Sequence, residues 1–344
     1  MPAGRGKALL CFARTHPGLV LRRTTQFAVA ALVLLAAWEF SAFVEALRVG
    51  PPAGALARPP VVEGFLPIAA IVALRGFLAT GQFDPVHPAG LTLLLATLAT
   101  AWLFRRSLCS WVCPLGTLSE GLGWLGRKLM GRNLAVPRWA DIGLLVAKYA
   151  VFAFAFKVFF LMPTAQALAF LRTPYYAVSD IKMFDLFARI GPVGLGVVGA
   201  LVGLSILIRS FWCRYLCPYG ALLGVLGLLS PVALVRDAET CIHCHKCSRE
   251  CPNGVDVEGA RRCVVSAECT GCTRCAEVCP VDGALRFRLL GLATLRPVVL
   301  SIAFLSLFFG AVVWAKASGR WESSLDARQL YRLDAVMSRQ RPSG

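Results

Sequence analysis

Residues 88–118 read PAGLTLLLATLATAWLFRRSLCSWVCPLGTL, and residues 192–222 read PVGLGVVGALVGLSILIRSFWCRYLCPYGAL. At a shift of 104 they align without a gap and agree at 11 of 31 positions, among them Arg105/Arg209, Cys109/Cys213, Cys113/Cys217, Pro114/Pro218, Gly116/Gly220 and Leu118/Leu222. Each copy is a short apolar run that ends in C-x-x-x-C-P, and each follows a longer apolar run in the chain. The repeating unit is thus one span outward and one span back. Two such units share an orientation, so their pseudo-twofold axis is expected along the membrane normal. Both cysteine pairs then emerge on the same face.

Composition agrees with a chain that lives in lipid. Of 344 residues 57% are hydrophobic and 16% charged, with a mean hydropathy of +0.65. A soluble domain carries about 25% charged residues. Five runs are expected to span: Phe27–Leu47, Ala89–Phe104, Ile142–Met162, Val193–Ile208 and Val298–Ala315. The second and fourth are short against the ~20 residues a spanning helix needs. Phe65–Phe83 and Ala165–Phe187 are too polar or too interrupted, and read as outer-surface segments. The first run carries Glu39 and lacks a small-x-small cleavage site, so it reads as an uncleaved anchor.

The net charge of +17 lies in blocks beside the apolar runs, which points to topogenic charge and not to a nucleic-acid surface. Arg5, Lys7, Arg14, Arg22 and Arg23 precede span one without an acid; Arg105, Arg106, Arg127, Lys128, Arg132 and Arg138 follow span two. The positive-inside rule puts the N-terminus, 105–141 and 209–296 in the cytoplasm and the 317–344 tail outside.

Of 14 cysteines, eight fall in two evenly spaced runs, four in the matched pairs, and Cys11 and Cys263 stand alone. The runs are Cys241-Ile-His-Cys244-His-Lys-Cys247-Ser-Arg-Glu-Cys251-Pro252 and Cys269-Thr-Gly-Cys272-Thr-Arg-Cys275-Ala-Glu-Val-Cys279-Pro280. Both are C-x2-C-x2-C-x3-C-P, in which the fourth cysteine ligates the other of two clusters. Cys241, Cys244, Cys247 and Cys279 are therefore expected on one 4Fe–4S cluster, and Cys251, Cys269, Cys272 and Cys275 on the second. Zinc ribbons and disulfides do not use this doubled spacing. All eight ligand positions are filled by thiols, so His243 and His245 read as exposed loop residues. Cys263, in a short apolar stretch, reads as a buried structural thiol.

The i, i+4 pairs Cys109/Cys113 and Cys213/Cys217 admit three readings: a further iron–sulfur cluster, redox-active thiols, or packing at a turn that the repeat duplicated. The proline after Cys113 and Cys217 forces both out of helical geometry. Ionisable residues inside spans are functional candidates. Glu39 or Glu45 could accept a quinol proton, or could pair with Lys148 or Lys157 to lock spans one and three. Asp84-Pro-Val-His87-Pro88 reads as a rigid turn.

These motifs resemble the NapH-type membrane ferredoxins that accompany periplasmic nitrate reductase. The resemblance covers about residues 17–290, including Leu19-Val20-Leu21-Arg22-Arg23, Cys109-Ser-Trp-Val-Cys113-Pro-Leu and Cys217-Pro-Tyr-Gly-Ala-Leu-Leu-Gly-Val-Leu-Gly. MauN-type proteins and the membrane part of NosR-type regulators are similar in the same places. A fifth span and an external tail depart from the NapH pattern. The resemblance implies oxidation of quinol and delivery of electrons to a partner redox subunit of ferredoxin or cytochrome type. The other function class is an assembly or regulatory factor that supplies electrons to mature a metalloenzyme.

The expected architecture is an all-α membrane protein of the bacterial inner membrane. Two parallel two-helix repeats and a fifth span carry an inserted α+β ferredoxin domain for two 4Fe–4S clusters. Its parts are a cytoplasmic segment (1–24), a four-helix core (25–235), the ferredoxin domain (236–290), the fifth helix (291–316) and the tail (317–344).

Overall fold

The computed structural model describes residues 16–50 and 58–339; Cys11 lies outside them. The helices are α1 (Pro17–Val49), α2 (Pro67–Thr80), α3 (Pro88–Phe104), α4 (Ser107–Trp111), α5 (Pro114–Met130), α6 (Arg138–Ala155), α7 (Thr164–Leu171), α8 (Pro174–Ala177), α9 (Ser179–Ala188), α10 (Pro192–Leu207) and α11 (Pro218–Leu228). A three-stranded sheet with two short helices follows, then α14 (Pro297–Ala317) and α15 (Ala327–Arg339). Eight of these helices start on proline, whose fixed φ and missing N–H suit the first helical position.

Among the described residues, three helices are long and apolar enough to cross a membrane: α1, α6 with its π-helical extension Phe156–Phe160, and α14. Only 6% of the most apolar window of α6 is buried. α9 and α10 meet at a bend of 85° and pass the same test only together. α3 and α10 do form where spans two and four were expected, at 17 and 16 residues. The stretches expected on the outer surface are helical too: α2 covers one, and α7, α8 and α9 divide the other.

The chain folds as two compact units. Of the described residues, one holds those up to 30 with 97–152 and 199–308; the other holds those from 31 to 96 with 153–198 and those from 309 on. Every passage between them falls inside a helix, namely α1, α3, α6, α10 and α14.

In the first unit, β1 (Val232–Arg236), β2 (Leu285–Leu289) and β3 (Ala293–Leu295) form an antiparallel sheet in that order. The α+β module thus begins before residue 236 and ends after 290. The apolar faces of β1 and β2, through Val232, Leu234, Leu285 and Phe287, pack with Val255, Val257 and Val264 around Cys247 and Cys275. Those thiols sit on the short helices α12 (Lys246–Glu250) and α13 (Arg274–Glu277).

The second unit is built on α1 residues Phe40, Phe43, Val44 and Leu47 packed with Val178, Ile181 and Leu330. It also buries a polar cluster. Arg58 pairs with Glu63 and lies 3.3 Å from Asp180, while Tyr176 donates to Asp84. Asp84 accepts from the backbone N–H of Val86 (3.0 Å) and His87 (3.3 Å), which makes 84–88 the rigid turn expected.

Candidate iron–sulfur centres

The ferredoxin module repeats itself at a shift of 28 residues. Cys241, Cys244 and Cys247 correspond to Cys269, Cys272 and Cys275, and the backbone matches between the thiols. His243 (φ 54) matches Gly271 (φ 56), and His245 (φ 56) matches Thr273 (φ 59). These left-handed positions curl each loop so that three thiols can face one space. The two histidines serve that curl: both are exposed and both pair with Glu258, at 2.5 and 3.1 Å.

A concavity of about 370 Å³, open to solvent, is lined by Cys241, Cys244, Cys247 and Cys279. Cys279 is 32 residues beyond Cys247 in sequence and reaches this space from the end of the second run. The other thiols gather separately: Cys251 and Cys275 each sense the charge of both Cys269 and Cys272. Burial pushes the Cys251 thiol up to about 12, and the neighbouring thiols add to the effect. No three His, Cys, Asp or Glu side chains among the described residues converge on a single metal ion. Cubane geometry does not ask for it, since each thiolate binds a different iron and the four sulfurs surround a space.

The four thiols of the C-x-x-x-C-P pairs also meet. Cys213 lies within electrostatic range of Cys113, Cys109 and Cys217. Burial pushes Cys113 up to about 12, with its thiol neighbours adding to the effect. Cys113 (φ −69, ψ 120) and Cys217 (φ −72, ψ 108) are extended, and a helix restarts on the proline after each. Cys109 and Cys213 share a second pocket with Pro252, Asn253 and Thr270, which flank Cys251 and Cys269. Gly116 is required here: a Cβ would lie 1.9 Å from the Cys109 carbonyl oxygen.

The basic residues read as topogenic have a second role, because they seat the module. Arg105 donates to the Val232 and Val264 carbonyls at 3.1 and 3.0 Å. Arg209 Nη1 donates to the Cys251 carbonyl at 2.6 Å. Arg106 and Lys148, both about 1% exposed, reach Glu268 at 2.7 and 2.5 Å. Near the start of α1, Arg22 and Arg23 meet Glu120 at 2.5 and 2.9 Å, and Arg274 joins at 3.2 Å. Burial would raise the Glu120 carboxyl, but the three arginines outweigh it and hold it below the ordinary range.

Three expectations change. Lys148 pairs with Glu268 and not with Glu39 or Glu45, because the carboxylate beside Cys269 is brought to it by the fold. Glu39 and Glu45 are both exposed on α1, with no ion-pair partner among the described residues. Cys263 bridges to Val235 through its backbone, yet its side chain is exposed, since alternation along the bridge turns the neighbouring Val264 inward instead. Sequence reasoning missed Glu268 and Glu120, whose ion-pair partners are 97 to 162 residues away, and Arg58, which lies in a buried cluster assembled from separate turns; only their acidity or basicity beside motifs hinted at them.

Comparison with known proteins matches this geometry. The family described as "4Fe-4S binding domain" matches twice, over residues 86–133 and 190–234, and the family described as "4Fe-4S dicluster domain" matches residues 233–287. YccM of Escherichia coli K12, named as an electron transport protein, is 39% identical over 317 residues, 90% of this chain and 88% of its own. The ferredoxin-type protein NapH of the same organism is 28% identical over 293 residues, 78% of this chain and 88% of its own. The methylamine utilization ferredoxin-type protein MauN of Methylorubrum extorquens is 29% identical over 201 residues, 55% of this chain and 62% of its own. No solved structure matches. Likeness to YccM over nine-tenths of the chain, on top of 4Fe–4S family matches at both copies of the sequence repeat and at the ferredoxin module, makes this protein a membrane iron–sulfur electron-transport protein of the NapH-type polyferredoxin superfamily.

Proposed function

We propose that the chain takes electrons from the quinol pool and passes them through two 4Fe–4S clusters to a partner oxidoreductase. Cys241, Cys244, Cys247 and Cys279 would hold one cluster, and Cys251, Cys269, Cys272 and Cys275 the other. The observation that carries this reading is Cys279 in the pocket of the first run, the crossed ligation that two-cluster ferredoxins use. The clusters supply one-electron redox chemistry. The protein's own part is to bury Cys247 and Cys275, curl the loops, and seat the module with arginines on the ends of the apolar helices.

Orientation belongs to the same reading. The described residues of the three segments expected in the cytoplasm, 1–24, 105–141 and 209–296, fall in one compact unit, and those of the three expected outside, 48–88, 163–190 and 317–344, fall in the other. Five crossings with two parallel repeats account for that division. On this reading the clusters would lie in the cytoplasm, where thiolates stay reduced, and the four paired thiols would form a joint redox site. Glu39 and Glu45 are the exposed carboxylates of α1 that a quinol arriving from lipid could use as proton acceptors.

The test is reduction of the clusters by a quinol analogue in purified protein reconstituted into lipid, with dithionite as the control. Dithionite reduction without any quinol-driven reduction overturns the quinol donor and favours an assembly or regulatory role.

A further inference from the structure

We propose that α5 lies in the plane of the membrane, and that its exposed side and the basic segment after it form a seat for anionic phospholipid headgroups. This goes beyond the electron-transfer reading and does not depend on the quinol donor.

The helix carries its two faces the wrong way round for water. Ser119, Glu120, Gly123 and Gly126 are its buried residues. Leu115, Leu118, Leu122, Leu125 and Leu129 recur at intervals of three and four, and so form one stripe along its other side. Leu122 and Leu125 are half-buried; Leu115, Leu118 and Leu129 are exposed, the last at 70%, and so is Trp124. A segment read from its charge as cytoplasmic thus presents an apolar face, and exposed apolar surface of this extent marks a contact with something other than water. The inward face has its own partners. Glu120 holds Arg22, Arg23 and Arg274, and a Cβ on Gly126 would lie 1.9 Å from the Ile206 carbonyl oxygen. One side of α5 therefore grips the ferredoxin module while the other is left open.

Hydrogen bonds fix where the helix sits. Asn133 Nδ2 donates to the carbonyls of Gly123 and Ile206 at 3.0 and 3.2 Å, and the Leu134 N–H donates to the Leu207 carbonyl at 2.9 Å. Ile206 and Leu207 end the apolar helix α10, and the long apolar helix α6 starts a few residues on, at Arg138. The end of α5 is pinned where one apolar helix stops and another begins, which is the boundary of the hydrocarbon layer.

Charge selects the occupant. Residues 121–140 contain Arg127, Lys128, Arg132 and Arg138 and no acid. None of the four has an ion-pair partner among the described residues. Lys128 Nζ lies 5.3 Å from the centre of the Trp124 ring, and Trp139 at the start of α6 is 79% exposed. A leucine face flanked by tryptophans and basic residues is the composition of a helix that lies in a lipid interface. Unmatched cations favour anionic headgroups over neutral ones. They also disfavour a second copy of this chain, whose facing surface would carry the same charge.

The experiment is quenching of tryptophan fluorescence by brominated lipid in the reconstituted full chain, with the Trp124→Phe variant subtracted so that only Trp124 is read. Vesicles mix phosphatidylcholine with phosphatidylglycerol, and the bromine is carried by one lipid or by the other. Trp124 should be quenched in both cases, and more strongly when phosphatidylglycerol carries the bromine. A basic residue near an anionic surface is worth about fivefold in affinity. The Arg127→Gln/Arg132→Gln/Arg138→Gln variant, which keeps Lys128 on Trp124, should therefore lose most of that preference and remain quenched. Equal quenching by the two lipids in the wild type overturns the anionic seat. An unquenched Trp124 overturns the membrane contact altogether, and a dimer that Leu118→Glu converts to a monomer would then identify a second copy as what covers the stripe. Cluster reduction is read separately, so none of these outcomes bears on the proposed electron transfer.

Discussion

At the scale of single residues, the crossed ligand Cys279 carries the most consequence. Cys279→Ser should damage the cluster of Cys241, Cys244 and Cys247, which it joins in space, and spare the one held by its sequence neighbours Cys269, Cys272 and Cys275. EPR of the reduced variant would show which signal is lost; loss of the nearer cluster would refute the assignment. Gly116 is decided by sterics alone. Gly116→Ala places a methyl 1.9 Å from the Cys109 carbonyl, and overpacking of this kind costs about 1–3 kcal/mol. The thermal midpoint of the detergent-purified variant should fall accordingly. By contrast, His243→Asn should keep both clusters, because asparagine also tolerates the left-handed backbone that the histidine adopts; loss of a cluster, read by iron content, would return His243 to a ligand role.

At the scale of elements, the ends of helices carry the electrostatics. Glu120 on α5 gathers Arg22 and Arg23 of α1 and Arg274 of α13. Its carboxyl is held below the ordinary value of 4.5, so the stabilisation is complete above that value and drains away as the pH falls through the depressed folded-state value. Hydrogen exchange at the start of α1 should accelerate as pH drops below about 4.5, beyond the intrinsic pH effect, and Glu120→Gln should remove that dependence. In the other unit, Arg58 serves Glu63, which accepts from the Gly90 N–H in the first turn of α3 at 2.8 Å, and Asp180 in the first turn of α9. Arg58→Met strands two buried carboxylates, and removing one partner of a buried pair costs about 3–5 kcal/mol. A thermal midpoint unchanged from wild type would show that those carboxylates are neutral.

At the scale of the whole molecule, the division into two units makes orientation testable. Reporter fusions after residues 130 and 255 should read cytoplasmic, and one after residue 335 external. An external signal at 255 would overturn the orientation and place the thiolates in an oxidising compartment.

Much of this was legible in the chain before any coordinates. The gapless shift of 104, the two C-x2-C-x2-C-x3-C-P runs, the apolar runs and the prolines that open α3, α5, α10, α11 and α14 are local signals. Local signals survive in sequence because backbone sterics, ligand spacing and solubility in lipid act on neighbouring residues. They sufficed for the family, the cluster type and the existence of the helices. Pairings were not legible. Nothing in the order of residues announces that Lys148 turns to Glu268 and away from Glu39, that three arginines converge on Glu120, or that Arg106 lies buried between two halves of a repeat with an N–H unmet. Coulomb attraction and desolvation depend on distance and burial, and over separations of up to 162 residues those quantities come into being only when the chain has folded.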